Sequence, residues 1–135
     1  MKSDTKPDVC VVGLGYIGLP TAAIAARAGC VVHGVDVAHQ VIETINRGAI
    51  HIEEVDLDGL VQGVVARGML KASTEVAPAD VFIIAVPTPF DADHAPDVSH
   101  VLAAGEAVAS VLKPGDTVIL ESTSPVGTTE ALRDL

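Results

Sequence analysis

The chain has 135 residues, of which 49% are hydrophobic and 2% aromatic, and its formal net charge is −10. A chain of this length forms one domain that buries roughly two thirds of its unfolded surface. The negative charge and the scarcity of aromatic rings argue against nucleic acid and anionic membranes as partners, because surfaces that bind either are basic. We expect an acidic surface that keeps the domain in solution.

Two further features predict the compartment. No apolar stretch in this sequence reaches the roughly 18 residues that a membrane-spanning helix needs, and MKSDTKPD at the N-terminus does not resemble a signal peptide. Cys10 and Cys30 fall in or beside apolar runs, which favours small buried side chains over a disulfide or a reactive thiol. The sequence therefore predicts a cytoplasmic protein.

Apolar runs alternate with amphipathic segments along the chain, which predicts an α/β fold with a doubly wound parallel sheet and helices on both faces. Glycines at the ends of three segments predict where helices stop. Asp97 or Ser99 is the predicted N-cap of the fourth helix. The predicted strands are 8–13, 30–36, 70–74, 80–86 and 116–123, and the predicted helices are 16–28, 39–48, 56–68, 97–115 and 128–135.

Three glycines, Gly13, Gly15 and Gly18, follow the first predicted strand in the stretch VVGLGYIGLPT. The pattern GxGxxG between a strand and a helix is typical of Rossmann-type dinucleotide-binding domains. In this interpretation Gly13 makes the tight turn, Gly15 leaves room for a pyrophosphate, and Gly18 lets helix and strand pack closely. The free N–H groups at the helix N-terminus then face the anion. The loop contains no lysine, which excludes a Walker-type phosphate loop.

Asp36 ends the second predicted strand, 18 residues after Gly18. An acidic side chain at this position accepts hydrogen bonds from the adenosine ribose hydroxyls. The following segment VAHQV contains no arginine or lysine to bind a 2′-phosphate, so NAD is favoured over NADP. His39 is the only nearby residue that could pair with a 2′-phosphate and weaken this preference. The alternative role of Asp36 is a solvated strand-end acid or a helix cap.

Two polar loops follow strands four and five, at the edge of the sheet where ligands bind in doubly wound folds. In AVPTPF, Pro87 and Pro89 stiffen the backbone around Thr88 and direct its hydroxyl towards the crevice, unless the loop is only a proline-rich turn. The second loop, ESTSPVGTTE at 121–130, contains five hydroxyl side chains, some of which we expect to be ordinary capping groups.

The segment DADHAPD contains alternating acids, Asp91 and Asp93, as calcium-binding loops do. The required glycine and the closing glutamate are missing, because Pro96 and Leu102 occupy those positions. We therefore predict no metal site and assign Asp93 and His94 to a polar loop. The remaining histidines also lack ligand spacing: His33, His51 and His100.

Five motifs in this order, GLGYIGLPTA, GVD, INRG, IAVPTPF and ESTSPVGTTE, resemble the N-terminal NAD-binding domain of the UDP-glucose/GDP-mannose dehydrogenase family. The longer segments INRGAIHIEE, VPTPFDADHAPD and LESTSPVG look most like those of UDP-N-acetyl-D-mannosamine dehydrogenases. The resemblance implies an enzyme that oxidises the C6 alcohol of a UDP-sugar to a carboxylate with two NAD molecules. It also implies a full-length protein that is a homodimer or a larger oligomer.

The same resemblance implies roles for individual residues. Tyr16 and Ile17 would contact the dinucleotide through their backbone, and Thr88 and Thr129 would lie near the rest of the cofactor. Thr123 would hydrogen-bond near the reacting C6 and help to place a catalytic water.

In the family that this chain resembles, a cysteine attacks the intermediate aldehyde, and it belongs to regions beyond the matched motifs. We expect Cys10 and Cys30 not to replace it, because both lie in or beside central strands. The expectation is one NAD-binding domain over residues 1–135 of a longer dehydrogenase, without its central helix and C-terminal domain. Such a chain would bind NAD but not oxidise a UDP-sugar alone.

Two alternatives share the glycine loop with this interpretation. One is a stand-alone regulatory NAD-binding module, and the other is the cofactor domain of a dehydrogenase that acts on 3-hydroxy acids or sugar-acid phosphates. Neither has a reason to contain VPTPF and ESTSPVG, so both motifs favour the nucleotide-sugar dehydrogenase.

Overall fold

Five parallel strands form one sheet within the part of the chain that the computed structural model describes, residues 6–90, 92–93 and 95–135. The strand order β3-β2-β1-β4-β5 confirms the predicted doubly wound α/β fold. The elements are β1 (Val9–Val12), α1 (Gly18–Arg27), β2 (Val32–Val35), α2 (His39–Asn46), α3 (Leu57–Ala66), β3 (Leu70–Ser73), β4 (Val81–Ile84), α4 (Ser99–Ala109), β5 (Thr117–Leu120) and α5 (Thr128–Arg133).

Some of the predictions concern residues that the structure does not describe. Asp91 and His94 of the predicted polar loop lie outside the described residues, as do residues 1–5 at the N-terminus. Among the helices that the structure does describe, none has the length and apolar character needed to cross a bilayer.

Helices cover both faces of the sheet, which explains why β1 is apolar at four consecutive positions. All four of its residues are buried. Because alternate side chains of a strand face opposite sides, Val9 and Val11 pack in one core with α1 and α3. Cys10 and Val12 pack in a second core with α4. The sheet is therefore held between two apolar layers, with its carboxyl edge free.

The predicted glycine stops are confirmed for the first three helices. Gly29, Gly48 and Gly68 follow α1, α2 and α3 with φ values of 108°, 80° and 73°. Residues with a side chain rarely adopt this left-handed conformation, so glycine ends each helix without strain.

Helix α4 is shorter than the predicted 97–115. It ends at Ala109, beyond which the Ser110 hydroxyl donates to the Ala107 carbonyl at 2.6 Å. Neither predicted N-cap residue holds that position, because Val98 is the N-cap and Ser99 is the first residue of the helix. Asp97, one residue before the N-cap, accepts the Ser99 amide with its Oδ1 at 2.9 Å. Hydrogen bonds from the Ser99 side chain and then its backbone lower the pKa of Asp97.

One edge of the sheet is closed by a side chain from the INRG motif. Asn46, the last residue of α2, donates to the Ala72 carbonyl of β3 at 2.9 Å and accepts the Ala72 amide at 2.9 Å. The Asn46 carboxamide thus bonds both the amide and the carbonyl of Ala72. On an edge strand, these backbone groups have no neighbouring strand to pair with.

We predict that Asn46→Ala lowers the free energy of unfolding by about 1–3 kcal/mol, because two hydrogen bonds are lost and the Ala72 groups remain partly buried. Urea denaturation followed by circular dichroism measures this change. A variant as stable as the wild type would contradict the structural role assigned to Asn46.

Strand β5 forms the opposite edge and leaves apolar side chains exposed. Val118 and Ile119 are 38% and 45% exposed. Beside them, an apolar groove of about 360 Å³ runs between α4, β5 and α5, with Leu112 and Leu132 in its wall. At an exposed apolar edge, a sheet can pair with another strand or aggregate.

Candidate functional site

The site lies where the order of the strands reverses. Strand β1 pairs with β2 on one side and with β4 on the other. The loops that leave β1 and β4 therefore diverge towards opposite faces, and a crevice opens between them at the carboxyl ends of the strands. Ligands of doubly wound sheets bind in such a crevice.

Two of the three loop glycines are required by packing. A Cβ on Gly13, which has a φ of 100°, would collide with the Ala85 carbonyl of the segment after β4. A Cβ on Gly18 would collide with the Gly13 carbonyl and touch the Ala85 side chain. The predicted roles of Gly13 in the turn and of Gly18 in close packing are therefore confirmed.

Gly15 differs from both, because a Cβ built there would meet no atom within 4 Å. Packing of the protein therefore does not require a glycine at this position. The open space lies over the backbone that precedes α1, where the sequence predicts a pyrophosphate. The role of Gly15 in binding stays a prediction, but the structure removes the competing explanation of a packing constraint.

The start of α1 is suited to an anion. The helix begins at Gly18, two residues later than predicted, because Tyr16 and Ile17 form the turn that leads from the glycine loop into the helix. No side chain caps it at Ile17. Tyr16 and Ile17 are 63% and 56% exposed, so their backbone borders solvent at the crevice. The first N–H groups of a helix lack partners within the helix and attract negative charge.

The carboxylate of Asp36 is held against the glycine loop. Its Oδ2 accepts the Leu14 amide at 3.0 Å, and its Oδ1 accepts the Ala38 amide at 3.0 Å. Each carboxylate oxygen has a second lone-pair direction, so two acceptor positions remain for a ligand. Asp36 thus fixes the loop to the end of β2 and still faces the crevice, where it is half-buried.

Two cavities meet at Asp36 and Gly13. The first, which we call the loop crevice, has a volume of about 360 Å³ and lies between the glycine loop and the loops after β4 and β5. The second, the α4 cavity, has a volume of about 580 Å³ and lies between the ends of β1 and β2 and the face of α4. Seven predicted site residues line the loop crevice: Gly13, Gly15, Tyr16, Ile17, Asp36, Thr88 and Thr123.

The loop after β5 is anchored so that Thr123 reaches this crevice. The Ser122 hydroxyl donates to the Val86 carbonyl at 2.9 Å, which joins the loop to the end of β4. Next to it, the Thr21 hydroxyl of α1 donates to Glu121 Oε1 at 2.7 Å. These two anchors immediately precede Thr123, which is exposed and lines the loop crevice.

Thr129 is not brought to the other predicted residues. It is exposed on the first turn of α5 and lines the groove between α4 and α5 instead of the loop crevice. Its neighbour Thr128 is buried and donates to the Pro125 carbonyl at 2.8 Å. Some hydroxyls of this loop were expected to cap a helix, but no side chain caps α5. Ser122 and Thr128 instead donate to backbone carbonyls within the loops.

The prediction of small buried cysteine side chains is confirmed for Cys10 but only partly for Cys30. Cys10 is fully buried at the centre of β1, and burial raises the pKa of its thiol. Cys30 is half-buried before β2, and both are free thiols. A neutral thiol inside the sheet cannot reach a substrate, so the structure supports the prediction that Cys10 is not a nucleophile.

We predict that a thiol reagent such as 5,5′-dithiobis-(2-nitrobenzoate) reacts with native Cys10 only as fast as the protein unfolds. Cys30→Ala isolates this rate, and the same variant in denaturant gives the rate for a free thiol. Rapid labelling of Cys10 in the folded protein would contradict its burial.

The α4 cavity brings residues to the site that the sequence patterns did not single out. Glu75 follows β3, His100 lies in the first turn of α4, and Ala103, Ala104 and Ala107 form the helix face that borders the space. The small alanines at this helical spacing were the available signal, since they leave room where larger side chains would fill the cavity. Within the described residues, no group of three or more His, Cys, Asp and Glu side chains is placed to hold a metal ion.

Comparison with known proteins identifies the family. Residues 7–135 match the model of the UDP-glucose/GDP-mannose dehydrogenase family, NAD binding domain. The chain belongs to this family. The match includes the two loops that the regulatory module and the 3-hydroxy-acid dehydrogenase have no reason to share.

Individual relatives agree with this assignment. The chain is 57% identical over 126 residues to an NDP-N-acetyl-D-galactosaminuronic acid dehydrogenase of Ralstonia nicotianae. The aligned segment covers 93% of this chain and 30% of that relative. It is 53% identical over 126 residues to the UDP-N-acetyl-D-mannosamine dehydrogenase of Escherichia coli K12, with the same coverage. The solved UDP-N-acetyl-mannosamine dehydrogenase of Staphylococcus aureus matches with a TM-score of 0.89 and 41% identity, over 94% of this chain and 32% of that one. The chain thus spans about a third of the length of these relatives.

Proposed function

We propose that this chain is the NAD-binding domain of a nucleotide-sugar 6-dehydrogenase that converts UDP-N-acetyl-D-mannosamine to UDP-N-acetyl-D-mannosaminuronate in the cytoplasm. The observation that supports this proposal most is the loop crevice. The unobstructed space over Gly15, the start of α1 without a side-chain cap and the Asp36 carboxylate all border it. Mannosamine dehydrogenases at 53–58% identity support the sugar.

The residues present fit the two charged parts of a dinucleotide. The pyrophosphate would lie over Gly15 and receive hydrogen bonds from the first backbone amides of α1. Asp36, already oriented by the Leu14 and Ala38 amides, would accept the adenosine ribose hydroxyls. Because these donors and acceptors are fixed before binding, little ordering entropy is lost. When bound, NAD supplies the hydride acceptor for oxidation of the sugar alcohol.

Preference for NAD over NADP follows from the same carboxylate. The residues after Asp36 are Val37, Ala38 and His39, which include no arginine or lysine to pair with a 2′-phosphate. A 2′-phosphate would place its charge beside the Asp36 carboxylate in a half-buried site, where like charges repel more strongly than in water.

The other half of the cofactor would lie in the loop crevice, towards Thr88 and Thr123. We propose that Thr123 orients a water or the C6 hydroxyl through its exposed hydroxyl, held in place by the anchors at Ser122 and Glu121. Loss of one positioned hydroxyl of this kind costs on the order of 10²-fold in rate. Thr129 would contact the cofactor only if α5 shifted from the position it has here.

The test is a chimera in which residues 7–135 replace the matched segment of the E. coli mannosamine dehydrogenase. We expect NADH formation with UDP-N-acetylmannosamine, and we expect none from the 135 residues alone, since neither Cys10 nor Cys30 is placed as a nucleophile. A chimera that folds but reduces no NAD would contradict the proposal. Turnover by the isolated chain would contradict the need for residues outside it.

A second sugar is favoured by one observation, the 57% identity to the Ralstonia galactosaminuronic acid dehydrogenase. A parallel chimera with the remainder of that relative tests it, with the corresponding galactosamine nucleotide as substrate. A higher kcat/KM for this chimera than for the mannosamine chimera, each relative to its parent enzyme, would favour the second candidate.

A further inference from the structure

A histidine on β2 holds the wall of the α4 cavity through a local hydrogen-bond network. His33 Nε2 lies 2.8 Å from Ser73 Oγ and 3.1 Å from the Glu75 carbonyl oxygen. The Ser73 hydroxyl donates to the same carbonyl at 2.9 Å and accepts the Glu75 amide at 3.3 Å. Three side-chain and backbone groups of β2, β3 and the segment after β3 therefore meet at Glu75.

The partners of His33 lead us to assign its ring proton to Nε2. The Glu75 carbonyl oxygen at 3.1 Å can only accept, so in this assignment Nε2 is the donor. The Ser73 hydroxyl gives its proton to the same carbonyl, so its oxygen can accept from Nε2–H as well. In this assignment the Nε2–H group of His33 is shared between two acceptors.

The network lies beside Asp36, the residue proposed to bind the adenosine ribose of the cofactor. His33 is on the same side of β2 as Val35, which packs in the core of α4. The Ser73 carbonyl accepts the Asp36 amide at 3.2 Å, so the turn after β3 and the end of β2 share one anchor. Thr74, Glu75 and Val76 then form the wall of the α4 cavity opposite the alanines of the helix.

We propose that His33 is a positioning residue for the adenosine end of the cofactor: it fixes the segment Thr74–Val76 as one wall of the space that receives the adenine ring. This inference rests on the proposed binding of NAD, with the adenosine ribose at Asp36. Thr74 and Glu75 are exposed and belong to no helix or strand, and Val76 packs against the second core, so the network adds an anchor at the exposed end of the segment. Without it, the wall must be ordered at the moment of binding, and affinity falls.

The experiment compares dissociation constants for NAD and ADP by calorimetry. We expect His33→Phe, which keeps a ring but donates no hydrogen bond, to raise both constants by the same factor, about tenfold. His33→Gln keeps an N–H donor at a similar reach and should bind within about twofold of the wild type. Asn46→Ala is the matched control, because it breaks bonds to the neighbouring Ala72 without reaching either cavity.

Each outcome bears on the inference. If folded His33→Phe and the wild type have the same dissociation constant for ADP, the inference is wrong. It is also wrong if Asn46→Ala loses as much affinity for ADP as His33→Phe, because the loss would then follow from lower overall stability and not from the wall of the cavity. If His33→Phe does not fold, Ser73→Ala removes the shared acceptor and must weaken ADP binding for the inference to stand. A wild type that binds neither NAD nor ADP overturns the proposed function and this inference together, whereas normal binding with unaffected variants overturns this inference alone.

Discussion

Replacing Gly15 by alanine is expected to weaken NAD binding by on the order of 10²-fold while leaving the melting temperature unchanged. A methyl group at Gly15 meets no protein atom within 4 Å, and Gly15 does not have a positive φ, so the folded chain tolerates it. The same methyl group would occupy the space in which the pyrophosphate approaches the backbone. Calorimetric titration with NAD and a thermal denaturation curve give the two values.

Gly18→Ala is the matched control for this prediction. Its methyl group would collide with the Gly13 carbonyl in the folded chain, so we expect a loss of about 3 kcal/mol in the free energy of unfolding. The two glycines are three positions apart in one motif, yet one variant should lose affinity and the other stability. If Gly15→Ala bound NAD as tightly as the wild type, the pyrophosphate would not lie over this loop.

Asp36→Ala is expected to weaken NAD binding by about 1.5–3 kcal/mol, the scale of hydrogen bonds to a charged group. Part of this loss comes from the loop itself, because the Leu14 and Ala38 amides lose their acceptor. NADP should lose less affinity than NAD, since the charge that repels its 2′-phosphate is also removed. Titrations with both nucleotides measure the ratio.

Asp36→Asn separates the two effects. It keeps one side-chain oxygen for the Leu14 amide and removes the negative charge, so the loop stays anchored while the ribose loses a charged acceptor. An unchanged NAD:NADP ratio in both variants would show that Asp36 only caps the segment after β2, which is the alternative that its position at a strand end leaves open.

The elements of this fold could be predicted because local signals agree with tertiary structure. The apolar run of β1 reflects burial on both faces, and Gly29, Gly48 and Gly68 end helices through a backbone conformation that glycine alone adopts readily. Helix boundaries were less accurate. The start of α1 at Gly18 depends on the turn that Tyr16 and Ile17 make around the crevice, and helical periodicity does not encode that turn.

The site was predictable where a motif fixes the backbone and less so where folding alone brings residues together. Seven motif residues line the loop crevice. Thr129 lies elsewhere because α5 turns it towards α4, and the adjacent Thr128 takes the buried position. The contact of His33 with Glu75 joins residues 42 positions apart through strand register, which has no local pattern to reveal it.

Titration of the 135-residue chain with NAD, with NADP as the competitor, tests the central claim most directly. The crevice beside Gly15 and Asp36 predicts one NAD bound per chain, with NADP bound more weakly. No heat of binding from a folded sample, or NADP bound as tightly as NAD, would contradict it.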